Sequence, residues 1–431
     1  MGSCFPEAGG GYLWVKEGMS PLFGFLSGWM SWFAHAVACS LYSLAFGEFG
    51  INLLVRAGVL PPGSNESWWP VVLGIVVAGL FSFVNLRGSS ETGMIGNIVT
   101  IAKVIILGVF VVVGLAALNN INNWDSQLTT QFLHPENGIG GVFLAMGLTF
   151  IAFEGYEIIA QSGEEVINPK RNIPRAIFLS IVIVVVIYML VGFTALTAVT
   201  PEDSRPTWMF LGGVECDTMP DMCPPDYIPA NEMGIEFEPE LAIINAAETF
   251  MGSWGSILLL FGGLMSAMSA LNATIYSSSR VSFAMGRDKV LPEIFGRIHR
   301  RFHTPYGAIM LSAVLIIGMD ILLLGSIKNV ATAADIMFLL LFLMVNFSVI
   351  TLRTRRPDLD RGFRVPLVPW VPLVGIVLQL LLAINLLNLS LVSWGVTVAW
   401  IVGGTIFYLA TASRQLEAEE EKKIVHRQIV A

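Results

Sequence analysis

Long apolar stretches alternate with short polar segments along almost the whole chain. Ten of these stretches are long enough to cross a bilayer as a helix, which takes about 20 residues. Their approximate bounds are 21–55, 69–86, 94–118, 139–161, 176–199, 254–285, 306–326, 333–352, 367–388 and 391–410. The first and sixth are longer than a perpendicular span requires, so we expect tilted or extended helices there. The pattern predicts an all-α polytopic membrane protein.

Composition supports this class and excludes several others. The chain has 431 residues, of which 55% are hydrophobic and 13% charged, whereas a soluble domain carries about 25% charged residues. The net charge of −8 is spread unevenly, and the basic residues flank the spans, so no nucleic-acid partner is expected. The four cysteines have no metal-like spacing. No metal and no cofactor are therefore predicted.

The distribution of Lys and Arg predicts the orientation. With the N-terminus in the cytoplasm, nineteen basic residues fall on the inner side and three on the outer side, which is the positive-inside pattern. Residues 1–412 are then the transmembrane domain and 413–431 a charged cytoplasmic tail, so both termini are cytoplasmic. We expect the cell membrane as the location. On the outer side, Cys216 and Cys223 could form a disulfide or remain free thiols.

Two carboxylates flank a glycine inside the fourth stretch, in the sequence "FIAFEGYE". An ionised carboxylate in hydrocarbon is costly unless it is paired or faces water, and glycine lets the backbone leave helical geometry. A helix broken at the midplane exposes N–H and C=O groups to a ligand. The alternative is two glutamates that are solvated near the cytoplasmic end. The pattern favours a substrate site formed by Phe153, Glu154, Gly155, Tyr156 and Glu157.

Four blocks in the chain resemble the amino acid–polyamine–organocation (APC) transporters. They are "FPEAGGGYLWVKEGMSPLFGFLSGW", "AFEGYE…EEVINPKRNIPRAI", "LNATIYSSSRVSFAMGRDKVLPEIFGRIHRRFHTP" and "RTRRPDLDRGFRVPLVPWVPLVG". The resemblance implies the leucine-transporter-like inverted-repeat fold, with its first and sixth helices broken. The ten stretches would correspond to helices three to twelve of twelve. The chain would then lack helix one and most of helix two, through a misplaced start or a truncated product.

The same resemblance implies secondary active transport of amino acids or related amines, by proton-coupled symport or exchange with alternating access. The partners are then a small-molecule substrate and membrane lipid, and the oligomeric state stays open. An enzyme is not expected, because we find no His-x-x-x-His, no Gly-x-Ser-x-Gly and no Asp pair within the spans. The alternative is a non-transporting amino-acid-binding membrane protein or an inactive truncated permease.

Several polar residues within the spans are candidates for ion or proton coupling. Lys103, in "TIAKVIILG", matches a lysine in the fifth helix of some proton-coupled APC members; alternatively, it extends to the inner interface. Ser266, Ser269 and Asn272 recur at three-residue spacing and either permit close helix packing or line an ion site opposite Lys103. His35 could relay protons, or make one interhelical hydrogen bond.

The polar segment after the fourth stretch offers a candidate cytoplasmic gate. Glu164 and Glu165 are expected to pair with arginines of the block that follows the sixth stretch. In "NPKRNIPRA", Pro169 ends one segment and Pro174 is expected in the first turn of the next helix.

Overall fold

Helices make up the regular structure of the described residues, and no strand occurs among them. The computed structural model describes residues 1–7, 9–61, 63–64, 68–88, 92–118, 138–197, 241–322, 326–386 and 390–412. The helices are α1 (Gly11–Gly18), α2 (Pro21–Arg56), α3 (Trp69–Arg87), α4 (Thr92–Ala117), α5 (Gly138–Leu148), α6 (Tyr156–Gln161), α7 (Pro169–Thr197), α8 (Ala242–Met251), α9 (Ser253–Arg287), α10 (Tyr306–Leu322), α11 (Ile327–Arg355), α12 (Trp370–Asn385) and α13 (Leu391–Phe407).

The ten predicted stretches all correspond to helical segments of the described residues. Seven helices are long and apolar enough to cross a membrane, and an eighth span is a bent pair, Gly141–Gly147 with Phe150–Gln161. Two shorter apolar helices, α10 and α12, account for the remaining stretches. The prediction of an all-α membrane protein is confirmed.

The long helix α2 lies at the centre of the bundle and packs against α3, α9, α10 and α11. It is buried on most sides along its middle portion, as expected of a helix that is apolar all round. Phe33, Ala34 and Val37 form one core cluster with residues of α11, among them Ala334 and Phe338. The side chains of α2 are therefore held rigidly towards the neighbouring helices.

One helix start differs from the prediction. Helix α7 begins at Pro169, so Pro174 lies inside the helix and the prediction for its first turn is wrong. Because Pro174 has no N–H, it leaves the carbonyl of Lys170 without its intrahelical donor. The backbone of Gly362 packs closely against this carbonyl, in a space that a side chain would fill.

Two short helices, α1 and α8, were not predicted from hydropathy, because each is too short to read as a span. The predicted disulfide partners Cys216 and Cys223 lie outside the described residues, and so does the tail 413–431. Two cysteines that are described, Cys4 and Cys39, are free thiols.

Candidate functional site

The membrane span that contains "FEGYE" is broken. A 3₁₀ turn covers Phe150–Phe153, Glu154 is extended, and helix α6 starts after Gly155. Gly155 has φ 117°, a conformation that side chains disfavour and glycine adopts freely. The two parts of the span meet at a bend of 48°. The structure therefore has the break that the glutamate–glycine pattern predicts.

His35 of α2 and the two glutamates of the break form one buried cluster. One ligand atom from each of His35, Glu154 and Glu157 lies within 4.8 Å of the others. The His35 Nε2 and the Glu154 Oε1 are 3.7 Å apart, and their side chains are 0% and 1% exposed. The other ring nitrogen, Nδ1, lies 2.6 Å from the carbonyl oxygen of Ser31. A backbone carbonyl only accepts, so Nδ1 carries the proton and donates it there.

Glu157 connects three elements. Its Oε1 accepts hydrogen bonds from the backbone N–H of Gly11 at 3.2 Å and from the Gln161 amide at 3.1 Å. The hydroxyl of Ser277, on α9, in turn donates to the Gln161 carbonyl oxygen. The start of α1, the broken span and α9 are thus joined through one carboxylate. Glu157 is 1% exposed, so the alternative of a simply solvated carboxylate does not describe its position.

Several polar atoms around the break have no hydrogen-bond partner within the described part of the chain. They are His35 Nε2, both oxygens of Glu154, Glu157 Oε2, and both oxygens of Asp335 on α11. Asp335 is fully buried and lies within electrostatic range of Glu154. Buried polar atoms are normally satisfied, so this concentration of acceptors points to a site for a cationic group.

The two aromatic residues of the break pack against neighbouring helices. Tyr156 stacks on Phe342 of α11, with ring centroids 5.3 Å apart. Phe153 packs edge-on against Tyr188 of α7 at 5.2 Å, and the Tyr188 hydroxyl donates to the carbonyl of Ala152 at 2.7 Å. Phe153 thus packs against α7 on one side of the break, and Tyr156 packs against α11 on the other side.

A cavity of about 520 Å³ lies between α2, α4, α8 and α9. It is lined mostly by apolar residues, with Lys103, Ser266 and Tyr42 as polar members, and no acidic residue is among those lining it. Lys103 and Ser266 therefore line one cavity, and Tyr42, another of its lining residues, lies within electrostatic range of Glu154 in the break.

Asn272 does not join Lys103 at this cavity. Its side-chain oxygen accepts a hydrogen bond from Asn85 of α3 at 2.8 Å. Ser269 is half-buried and is not among the residues that line the cavity. Three-residue spacing rotates each successive position by about −60°, so Ser266 and Asn272 point about 120° apart. The sequence pattern grouped three residues of α9, but Ser266 faces the cavity and Asn272 faces α3.

The predicted gate glutamates face the C-terminal part of α9. Glu165 accepts hydrogen bonds from the Tyr276 hydroxyl at 2.6 Å and from Arg280 at 2.7 Å. Glu164 lies 3.8 Å from Arg287, a residue of the predicted block. Arg280, the partner of Glu165, lies on the same helix about two turns before that block.

The comparisons with known proteins agree with this architecture. The model of the family "Amino acid permease" matches residues 1–407. The chain belongs to the amino acid permease family. Its function is therefore amino acid transport, and membership places the permease among transporters and not among enzymes. These predictions from the sequence are confirmed.

Individual relatives cover most of the permease. It is similar to the branched-chain amino acid permease BcaP of Bacillus subtilis, at 25% identity over 94% of this chain and 80% of the relative. It is also similar to the serine/threonine exchanger SteT of the same species, at 28% identity over 87% and 75%. The Asc-type amino acid transporter 1 of Mus musculus is 24% identical over 99% of the chain and 72% of the relative.

Two buried acids of the permease were not anticipated. Asp320 lies in α10 and Asp335 in α11, both fully buried, and neither residue was singled out from the sequence. Asp320 accepts hydrogen bonds from the hydroxyls of Ser40 and Ser43 on α2. An ionisable residue inside an apolar stretch is a signal for a functional site by default, so both could have been found from the sequence.

Proposed function

We propose that this permease is a secondary active transporter of amino acids with uncharged side chains, working by alternating access. The observation that carries the proposal is the broken span at Glu154–Gly155, where buried carboxylate oxygens lie beside a backbone that leaves helical geometry. Tyr156 and Phe342 belong to one apolar cluster beside the break, which supports an uncharged side chain. The names of two relatives, a branched-chain permease and a serine/threonine exchanger, support the same class.

In this proposal the α-ammonium group of the substrate binds at the break. Backbone carbonyls that end the 3₁₀ turn at Phe153 carry partial negative charge, and Glu154 would add a full one when it is ionised beside the ammonium group. The buried oxygens of Glu154 have no partner among the described residues, so an ammonium group would satisfy them. Gly155 permits the break, and Tyr156 shapes the side-chain pocket together with Phe342.

We place coupling at the cavity that Lys103 and Ser266 share. An apolar surrounding favours the neutral form of a lysine over the charged form. Lys103 can therefore release a proton when the cavity closes and bind one when the cavity opens to water. Proton symport, or exchange of one substrate for another, would use this step. Ser269 and Asn272 belong to helix packing in this scheme, because Asn272 bonds to Asn85.

The inner gate in this proposal is formed by Glu164 and Glu165 with the arginines of α9. The two ion pairs close the space between the broken span and α9. Opening would separate them, which costs little because exposed pairs contribute about 0.2–1 kcal/mol each. A gate of this kind can alternate on a functional timescale.

We propose the cell membrane as the location, with both termini in the cytoplasm. The excess of Lys and Arg on one side supports this orientation. In the described residues, Lys16, Arg287 and Arg356 make ion pairs with Asp288, Glu164 and Glu17. Residues 1–412 would act as one transport domain, and 413–431 as its tail.

The test is uptake of labelled amino acids into proteoliposomes, with and without an inward proton gradient. We expect uptake of branched-chain or small neutral amino acids, increased by the gradient or by unlabelled substrate inside. Lys103→Ala should remove the gradient response and leave exchange. If the gene encodes residues before Met1, the longer form is assayed in parallel. Binding without uptake by either form would favour the non-transporting alternative.

A further inference from the structure

The cluster of His35, Glu154 and Glu157 has an arrangement that goes beyond binding an ammonium group. His35 comes from α2, and the two glutamates come from opposite sides of the break. Their ligand atoms lie within 4.8 Å of one another, and the His35 and Glu154 side chains are at most 1% exposed. The three side chains therefore surround a small volume, and they come from two separate elements, α2 and the broken span.

In His35 and Glu157, one polar side-chain atom makes hydrogen bonds and the other has no partner among the described residues. His35 donates through Nδ1 to the carbonyl of Ser31 at 2.6 Å, and its Nε2 has no partner among the described residues. Glu157 accepts two hydrogen bonds at Oε1, and its Oε2 has none within the same part of the chain. A histidine that binds a metal usually donates its other N–H to a carbonyl or carboxylate in this way.

The distance between His35 and Glu154 does not fit a direct hydrogen bond. The Nε2 and the Oε1 are 3.7 Å apart, whereas a charge-assisted hydrogen bond would bring them to about 2.7–2.9 Å. Ligand atoms about 2.1 Å from a tetrahedral ion are separated by about 3.4 Å. The observed gap is close to that separation, so an ion between these two groups fits better than a shared proton. The three ligand atoms lie within 4.8 Å of one another, so the cluster would contract around a bound ion.

The charges of the cluster also match a divalent ion. Because Nδ1 donates to Ser31, Nε2 is the ring nitrogen that a metal ion would bind. A neutral imidazole and two ionised glutamates would then give the site two negative charges. We propose that His35, Glu154 and Glu157 form a binding site for a divalent transition-metal ion of the Zn²⁺ class. Imidazole and carboxylate are ligands that suit Zn²⁺, and water would complete four-fold coordination.

The ion would have a regulatory effect on the proposed transport site. It would tie α2 to both sides of the break and occupy the Glu154 oxygens that the substrate ammonium needs. Zn²⁺ is therefore expected to inhibit uptake. This consequence rests on the proposed function, whereas binding of the ion does not.

The first experiment measures Zn²⁺ binding to the purified full chain in detergent, by calorimetry. We expect one ion per chain, with affinity lowered at least about tenfold in His35→Gln and in Glu154→Gln. Gln161→Leu removes a donor to Glu157 and should lower affinity about tenfold as well. The matched controls are His303→Gln, in a cytoplasmic loop, and Asp320→Asn, a buried acid outside the cluster, which should bind Zn²⁺ as the unaltered chain does.

A second measurement needs no variant, so it holds even if a substitution prevents folding. X-ray absorption of Zn²⁺ bound to the unaltered chain should show one imidazole nitrogen and two or three oxygens at about 2.0–2.2 Å. A shell with two or more imidazoles, absence of binding, or binding unchanged in both His35→Gln and Glu154→Gln would overturn the site.

Measuring uptake in the presence of Zn²⁺ tests the metal site and the transport function separately. Zn²⁺ should inhibit uptake by the unaltered chain and by His303→Gln at the same concentration. Zinc binding without uptake under any condition would leave the metal site standing and overturn the transport mechanism. Uptake that persists with Zn²⁺ bound at the cluster would overturn the regulatory role.

Discussion

Glu157 accepts a hydrogen bond from the backbone N–H of Gly11 at 3.2 Å, although 146 residues separate them along the chain. The bond places a carboxylate of the broken span at the N-terminal end of α1, where the helix dipole favours negative charge. A Cβ on Gly11 would lie 3.2 Å from the same oxygen. The glycines before α1 therefore allow the carboxylate to approach the backbone.

Substitution of Glu157 should lower the free energy of unfolding, and the loss should be smaller if the new side chain can still accept the hydrogen bonds from Gly11 and Gln161. Glu157→Leu leaves the Gly11 N–H and the Gln161 amide without an acceptor, which costs about 1–3 kcal/mol for each buried group. Glu157→Gln keeps one carbonyl oxygen and should cost less. Thermal unfolding in detergent measures both. Equal losses in the two variants would show that the hydrogen bonds do not stabilise the fold.

Gly155→Ala should destabilise the break without any steric clash. A Cβ at this position meets nothing within 4 Å, but φ is +117°, and a left-handed backbone costs a side chain about 1–2 kcal/mol. The control is Gly192→Ala in the middle of α7, where a Cβ also meets nothing and helix propensity should add about 0.5–1 kcal/mol. Thermal midpoints should move in opposite directions. A shift in the same direction would argue against strain at Gly155.

Reversing one charge of the Glu165–Arg280 pair should slow uptake, and reversing both should restore it. The pair is half-exposed, so it contributes about 0.2–1 kcal/mol to the closed state. Losing that contribution would lower the ratio of closed to open gates by up to about fivefold. Initial uptake rates are measured for Glu165→Arg, Arg280→Glu and the double variant. The control is the same exchange at Glu293 and Arg297, an exposed pair at 3.6 Å. Failure of the double variant to recover would count against a gate.

Asp360 should give the stability of the fold a small pH dependence. Lys170 donates a hydrogen bond to Asp360, which together with its charge holds the pKa of that carboxyl below its usual 3.8. A lowered folded pKa stabilises the fold above 3.8, and the contribution is lost as the pH falls through the folded pKa. Asp360→Asn should therefore lower the thermal midpoint slightly at neutral pH. The difference should vanish in acid; a difference that grew there would contradict the assignment.

Much of the fold and part of the site could be predicted from particular residues. The ten helical stretches followed from hydropathy because lipid allows few other structures, and the break at Gly155 followed from two acids beside a glycine. The start of α7 at Pro169 was missed because Pro174 reads as a helix start, although the helix tolerates it next to Gly362. Asn272 was grouped wrongly with Ser266, since spacing along one helix does not show which neighbour each side faces.

By itself, the sequence determined the class of the protein, its helical spans and the position of the broken one, because hydrocarbon imposes those features residue by residue. Only the tertiary structure decided that His35, 119 residues before Glu154 along the chain, faces it at 3.7 Å. It also decided that Lys103 shares a cavity with Ser266, and that Glu157 meets α1. These contacts depend on how helices rotate and cross when they pack, and local sequence pattern does not specify that geometry.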